Sequence, residues 1–340
     1  MRGRLAAGLV ALLVMTACAH APETASPSPR HSEASTAAPS RLACHRPTLR
    51  TTRGRRPAIT QRYLRTYAND HFACVAMWVP RLDEGFVPQG LALDGHTAWI
   101  SGHTWDRELR HDSCQVMQVD LRSGKLLKFT PRVRGSVGRL RPVVCRHGGA
   151  LALTKDGVWL IETARIWLLD PRRIGKADQI KRAWRVIKPA KGSVGAINGD
   201  HLVLGGFTNV SKARIDWFSL TDLLTPGRVE LRPRERELEG PGYVTALKSQ
   251  PAPSKMQGLQ FDPRGKLVVV RSSPKCGEMQ VGGSKLAFLP GAEGVAFDRK
   301  GHVWALSETT ALRPTIPLVP SLVRFDSALT ERGVQPQCLP

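Results

Sequence analysis

Three hairpins written to one pattern, frequent glycine and proline, and few long amphipathic helical windows predict an all-β protein, a β-propeller. The first hairpin is 86–103, FVPQGLALDGHTAWISGH; the others are 256–271, MQGLQFDPRGKLVVVR, and 292–308, AEGVAFDRKGHVWALSE. Each has Gln or Glu followed by Gly, an apolar strand, an Asp-Gly or Asp-x-x-Gly turn, and a second apolar strand. Asp-Gly between β-prone runs is a strong hairpin signal, and repetition of this kind names the architecture. A chain of 340 residues can bury a sizeable core, and all-β units of this order fold as one domain.

In chain order, residues 1–17 read as a signal peptide. Arg2 and Arg4 form a basic start, 5–14 is apolar, and Met15-Thr16-Ala17 leads into Cys18. Small residues before a cysteine, after a short apolar core, resemble the lipobox of bacterial lipoproteins, with Met15 where Leu is usual. The resemblance implies cleavage and a lipid on Cys18, and so an extracytoplasmic protein anchored to the cell membrane. The alternative is cleavage near Ala19-His20-Ala21 and free secretion. The apolar run is too short to span a bilayer. Residues 19–40 are Ala, Pro, Ser and Thr with little apolar content, the composition of a disordered spacer. The basic 41–65 is expected to be irregular and tied down by Cys44. Thus 18–70 is expected to be spacer and basic segment, 71–330 the propeller, and 331–340 a tail.

The strands follow. Residues 72–79, FACVAMWV, form a strand without a local partner. The opening hairpin, 115–121 and 126–130 make a first four-stranded blade. Residues 150–153, 158–162, 165–170 and 184–187 make a second, after His147-Gly148-Gly149. The third is 194–197, 201–205 and 213–219, with 229–231 as its fourth strand. The fourth is 256–271, 278–281 and 285–289. The fifth, 292–308 and 322–326, lacks a strand that 72–79 can supply, closing the ring. Five blades are therefore favoured; the leftover 243–247 leaves six as the alternative. Gly90, Gly258 and Gly294 suit inner strands, where sheets converge, and Trp99, Trp159 and Trp304 suit the wider space between blades.

Six further cysteines, Cys44, Cys74, Cys114, Cys145, Cys276 and Cys338, favour disulfides in an exported chain. Cys114 with Cys145 is the preferred pair, followed by Cys44 or Cys74 with Cys338. The net charge of +22 comes with no aromatic-interleaved basic motif, and export argues against a nucleic-acid partner. Anionic phospholipid or cell-wall polymer fits better, and a solvated surface explains the charge equally well.

Hairpin geometry also places polar residues. The start of one strand and the end of the next share an end, so Gln89 neighbours His103, His147 neighbours Glu162, Gln257 neighbours Arg271, and Glu293 neighbours Glu308. Rotation about one axis gathers these ends at one channel mouth, the candidate ligand site. Glu293 and Glu308 can form a carboxylate pair with one acting as general base, or hold calcium or another divalent metal. His147 with Glu162 can do acid–base work, and Arg271 can clamp an anion. Hydrogen bonding to neighbouring blades accounts for the Gln and Glu residues as well. No G-x-S-x-G, P-loop, H-E-x-x-H or EF-hand signature occurs, so catalysis rests on geometry alone.

The hairpins resemble those of NHL, gluconolactonase (regucalcin)-like and phytase-esterase-like propellers. The order FVPQG…ISGH, HGGALAL, MQGLQFDPRGKLVVV and AEGVAF…SE, from Trp78 to Asp326, is similar to that of exported bacterial β-propeller proteins of uncharacterised function. The gluconolactonase resemblance implies an axial metal held by Glu, Asn and Asp. Glu293 matches the Glu; no Asn or Asp counterparts are evident. The expected function is a monomeric, membrane-anchored binding or scaffold lipoprotein whose channel mouth holds a small polar ligand or an envelope protein. The alternatives are a metal-assisted hydrolase or lactonase at that mouth, and a basic cell-envelope adhesin using 41–65.

Overall fold

The computed structural model describes residues 44–58, 63–209, 213–238, 240–312 and 318–337. The expected signal peptide, Cys18, the spacer to 43, and Cys338 lie outside the described residues. The described chain is all-β in a propeller arrangement. Four sheets are four-stranded antiparallel blades, and a further sheet has six strands.

The first sheet is Val87–Asp94, Thr97–Asp106, His111–Asp120 and Leu126–Thr130. The second runs Ala150–Thr154, Gly157–Glu162, Arg165–Leu169 and Ile180–Val186, then adds Glu230–Arg232 and Tyr243–Thr245 in parallel on its outer edge. The third is Val194–Asn198, His201–Gly205, Ala213–Ser219 and Lys248–Ala252; the fourth is Met256–Phe261, Leu267–Ser273, Cys276–Val281 and Ser284–Phe288. In the fifth, Ala292–Phe297, Val303–Ser307 and Leu322–Phe325 are joined by Ala73–Met77, which pairs antiparallel with Leu322–Phe325. A two-stranded ribbon, Arg134–Gly135 with Val143–Val144, stands apart.

The 220–247 excursion departs from expectation. Residues 229–231 do not complete the third sheet; Lys248–Ala252 does. Tyr243–Thr245, the expected seed of a sixth blade, instead covers the second sheet's edge. The excursion leaves the third sheet through the helix Leu220–Leu224, capped by the Ser219 side chain accepting from Asp222 N–H. Covering an edge satisfies backbone groups that would otherwise template association.

Strand alternation explains the core. In the first sheet Leu91, Ala98 and Ile100 pack towards Ala296, Trp304 and Leu306 of the fifth. The intervening Ala92 and Trp99 pack towards Leu151, Val158 and Leu160 of the second. Each sheet is apolar on both faces because it is sandwiched between two neighbours. Similar clusters lie between the second and third, third and fourth, and fourth and fifth sheets. Trp99, Trp159 and Trp304 are all core.

The glycines of the repeat sit where inner strands nearly touch. A Cβ on Gly90 would lie 2.7 Å from the Ala150 backbone, and one on Gly294 would lie 2.8 Å from the Gln89 carbonyl oxygen. No side chain fits there without moving backbone.

The compact unit that contains the sheets begins at Cys44 rather than residue 71. Cys44 pairs with Cys74, not with Cys338, and Cys114 pairs with Cys145 as expected; Cys276 is disulfide-bonded as well. Arg53 donates its N–H to Ala76 O and accepts from Trp78 N–H. Asn69, buried and left-handed at φ 68°, donates to Ala287 O and Val334 O and accepts from Val334 N–H. It thus ties the N-terminal segment to the tail, whose Val334 carbonyl also accepts from Ala287 N–H on the fourth sheet.

Candidate functional site

The Gln/Glu that precedes Gly in each repeat is a β-bulge. Register slips between Pro88 and Gly90, between Met256 and Gly258, and between Ala292 and Gly294. The extra residues are Gln89, Gln257 and Glu293. A bulge carries one residue out of the ladder and re-aims its side chain. Here it does so at the same end of three successive inner strands.

Gln89 and Glu308 meet directly, Gln89 Nε2 donating to Glu308 Oε2 at 2.8 Å. Glu308 also hydrogen-bonds Glu293. Glu293 is buried and its carboxyl is held well above the usual carboxylate range, first by loss of solvation, then by the charge of Glu308 and their hydrogen bond. Burial raises Glu308 too, while hydrogen bonds from Gln89 and Glu293 favour its anion. Two adjacent buried carboxyls do not both ionise. One proton shared by the pair relieves this repulsion, and the stronger upward push falls on Glu293. Glu293 Oε1 has no hydrogen-bond partner among the described residues.

His103 and His147 form a second cluster. Their rings stack with centroids 4.7 Å apart. Burial, then the neighbouring His147, push His103 down to about 4; burial also lowers His147. Both imidazoles are neutral at neutral pH, and each offers one donor and one acceptor. His103 Nδ1 is buried without a partner among the described residues.

The hairpin that carries His103 is longer than expected. Its ladder continues without a slip through Thr104↔Ser113, Trp105↔Asp112 and Asp106↔His111. Side chains alternate along a strand and cross-strand partners share a face, so Trp105, Asp112 and His103 lie on one side. The charge of Asp112 acts on both histidines. Trp105 is 62% exposed, an aromatic ledge beside the histidine pair. Sequence reasoning missed Trp105 and Asp112 because it ended the strand at His103.

The remaining expected residues do other work. Glu162 is buried and accepts from Arg165 at 2.7 Å and from Arg146 N–H at 2.8 Å. It anchors the chain beside the Cys114–Cys145 disulfide and forms no acid–base pair with His147, which stacks on His103. Arg271 is held by Glu278 at 3.0 Å and by Ser254 O at 3.0 Å, so its charge is compensated within the protein. Gln257 is half-buried at its bulge. At the opposite end of the channel, Leu93, Leu153, Ile197, Gln260, Phe261 and Phe297 rim a 200 Å³ cavity.

Among the described residues, no group of three His, Cys, Asp or Glu ligand atoms includes Glu293 and Glu308. The groups that do form each contain a disulfide, whose sulfurs are not thiolates and do not bind metal. A pair sharing a proton is a weaker cation donor than two carboxylates, because the proton must leave first.

No protein-family model matches the chain, and no characterised protein is similar to it in sequence. In fold it is similar to solved β-propeller structures. Glutaminyl cyclase of Myxococcus xanthus aligns with TM-score 0.43 and 11% identity, over 71% of this chain and 90% of that one. The PQQ-bound aldose sugar dehydrogenase of Streptomyces coelicolor gives 0.39 and 15%, over 70% and 93%. The calcium-binding protein regucalcin of Agrobacterium tumefaciens gives 0.36 and 12%, over 70% and 89%. Likeness at this level concerns the propeller fold and not the chemistry at its mouth.

Proposed function

We propose that the protein is an extracytoplasmic binding protein whose polar channel mouth holds a small cyclic polyol of pyranose type. The carrying observation is that two buried polar atoms without a partner among the described residues, Glu293 Oε1 and His103 Nδ1, belong to residues at the end where Trp105 is exposed. A pyranose presents an apolar C–H face that suits an indole and a rim of hydroxyls that donate and accept in turn. Around the mouth, Glu308 is an acceptor, Gln89 and the two neutral imidazoles supply both roles, and Asp112 adds a second carboxylate. The disulfides favour an oxidising, extracytoplasmic setting, and no helix of the described residues is long and apolar enough to cross a membrane. Cleavage before Cys18 and a lipid on it are part of the proposal. So is a count of five blades, with the six-stranded sheet as one of them, supported by hydrophobic clusters that run from sheet to sheet and return to the first.

The raised carboxyl pair favours a second reading, acid–base hydrolysis of an ester or lactone. The adhesin reading has less support: Arg46, Arg53 and Arg65 are used to dock their own segment, on Asp70, Leu121 O, and Pro274 O with Lys275 O. Titration calorimetry of the full chain against a panel of methyl pyranosides and cyclitols tests the first reading. Binding by wild type, weakened about tenfold in Trp105→Ala through loss of the stacking surface, is expected. Equal affinity of Trp105→Ala for every ligand that binds would sink it, as would release of product from ester or lactone substrates dependent on Glu308 without pyranoside binding.

A further inference from the structure

We infer that a separate cleft, beside the second and third sheets, binds a phosphate group carried on an organic molecule. The cleft measures 510 Å³, and its lining includes Lys188, Lys191, Arg214 and Arg236 and no carboxylate residue. It lies next to Gly206, where the second strand of the third sheet ends, on the same end of the propeller as the polar mouth. It uses none of the mouth's residues.

The four cations have different roles. Arg214 is fully engaged: its Nε donates to Asp216 at 3.0 Å, one terminal nitrogen donates to Ser249 Oγ at 2.7 Å, and it pairs with Glu235. Asp216 is buried, so Arg214 is fixed in place, and through Glu235 it pins the turn Arg234–Arg236 against the third sheet. That pinning holds Arg236 at the cleft. Lys188 and Lys191 have no hydrogen-bond or ion-pair partner among the described residues, and Arg236 has only the field it exerts on Glu235. The stem of Lys191 lies over Gly206, where an added Cβ would come within 2.8 Å of Lys191 Cδ. Three cations without matching anions therefore face one space.

Lys188 and Arg236 are exposed and Lys191 is half-buried, and like charges gathered on one cleft attract an anion that can meet all of them. A carboxylate brings one negative charge, whereas a phosphate monoester carries nearly two at neutral pH and several acceptor oxygens. Two ammonium groups and a guanidinium fork suit the latter. Phe207, 37% exposed, and Pro189 form an apolar wall on the same cleft, suited to the organic part of the ligand.

The test is calorimetric titration of the full chain, at low salt, with inorganic phosphate and with glycerol 3-phosphate, and sedimentation with vesicles of phosphatidylglycerol in phosphatidylcholine. Thermal melts first establish that each variant is folded. Glycerol 3-phosphate should bind wild type and bind the double variant Lys188→Gln/Lys191→Gln at least about tenfold more weakly. Arg236→Gln should weaken it as well, and Lys300→Gln, on an exposed turn at the opposite end, should change it by less than about twofold. Vesicle binding lost in the same variants identifies a lipid headgroup as the source; binding of glycerol 3-phosphate without vesicle binding identifies a soluble phosphate ester. Wild-type affinity in the double variant, or no binding of any of the three probes, overturns the assignment.

Discussion

Replacing Glu293 with Gln isolates the shared proton. In the wild type, Glu293 is protonated in the folded state well above 4.5, the value an unperturbed glutamate takes. The unfolded chain ionises this group once pH rises through 4.5, while the folded chain keeps it neutral. Between those limits the folded state binds one proton more than the unfolded state, so stability falls as pH rises. The loss is about 1.4 kcal/mol for each pH unit crossed, or about 2–4 °C in Tm for a domain of this size. Glu293→Gln keeps the shape and the donor to Glu308 but cannot ionise in either state. Urea unfolding of both proteins at pH 5, 6 and 7 reads the difference directly, since distant groups titrate alike in both. The stability of the variant relative to wild type should therefore climb with pH, by up to about 1.4 kcal/mol per pH unit for as long as Glu293 stays protonated in the folded state. A difference that stays flat with pH would mean that Glu293 is ionised in the folded protein, and would refute the shared-proton description.

Other consequences follow from single contacts. His103→Asn should reduce the loss of stability seen on acidification: wild type keeps this ring neutral down to about 4 while the unfolded chain takes up a proton below 6.5, a contribution of about 2–3 kcal/mol lost across that window, measured as Tm between pH 7 and pH 4. Asn69→Ala removes two donated bonds and one accepted bond at a buried joint and should cost about 2–4 kcal/mol, read from urea unfolding, with faster proteolysis of the C-terminal tail. Cys114→Ser with Cys145→Ser opens a cross-link with a sequence separation of 31 and should cost about 2–4 kcal/mol.

The repeats were legible because their chemistry is local. Asp-Gly and Asp-x-x-Gly turns set the hairpins, and the Gln/Glu-Gly step encodes both the bulge and the close approach of inner strands. Hairpin register puts Gln89, His103, His147, Glu293 and Glu308 at one end; the stacking of His103 on His147 joins two sheets and does not follow from register. Register places a residue at an end but does not choose its partner. Glu162 went to Arg165 and a backbone N–H, and Arg271 went to Glu278 on the adjacent strand. The 220–247 excursion was not legible because parallel pairing with another sheet's edge is non-local and leaves no short-range pattern. Trp105 was missed because the ladder runs beyond the blade into a polar segment. Cysteine spacing alone does not determine connectivity, and Cys44 found Cys74 because both belong to the segment laid against the fifth sheet.

The claim that the polar mouth is the binding site is tested most directly by NMR, following the Trp105 indole and the His103 and His147 ring resonances while methyl pyranosides are added. These three should shift together and saturably. His302, at the opposite end of the fifth sheet, and the buried Trp159 should not move. Unchanged Trp105, His103 and His147 signals in the presence of a saccharide that binds the protein, or shifts centred on the far mouth, would contradict the account.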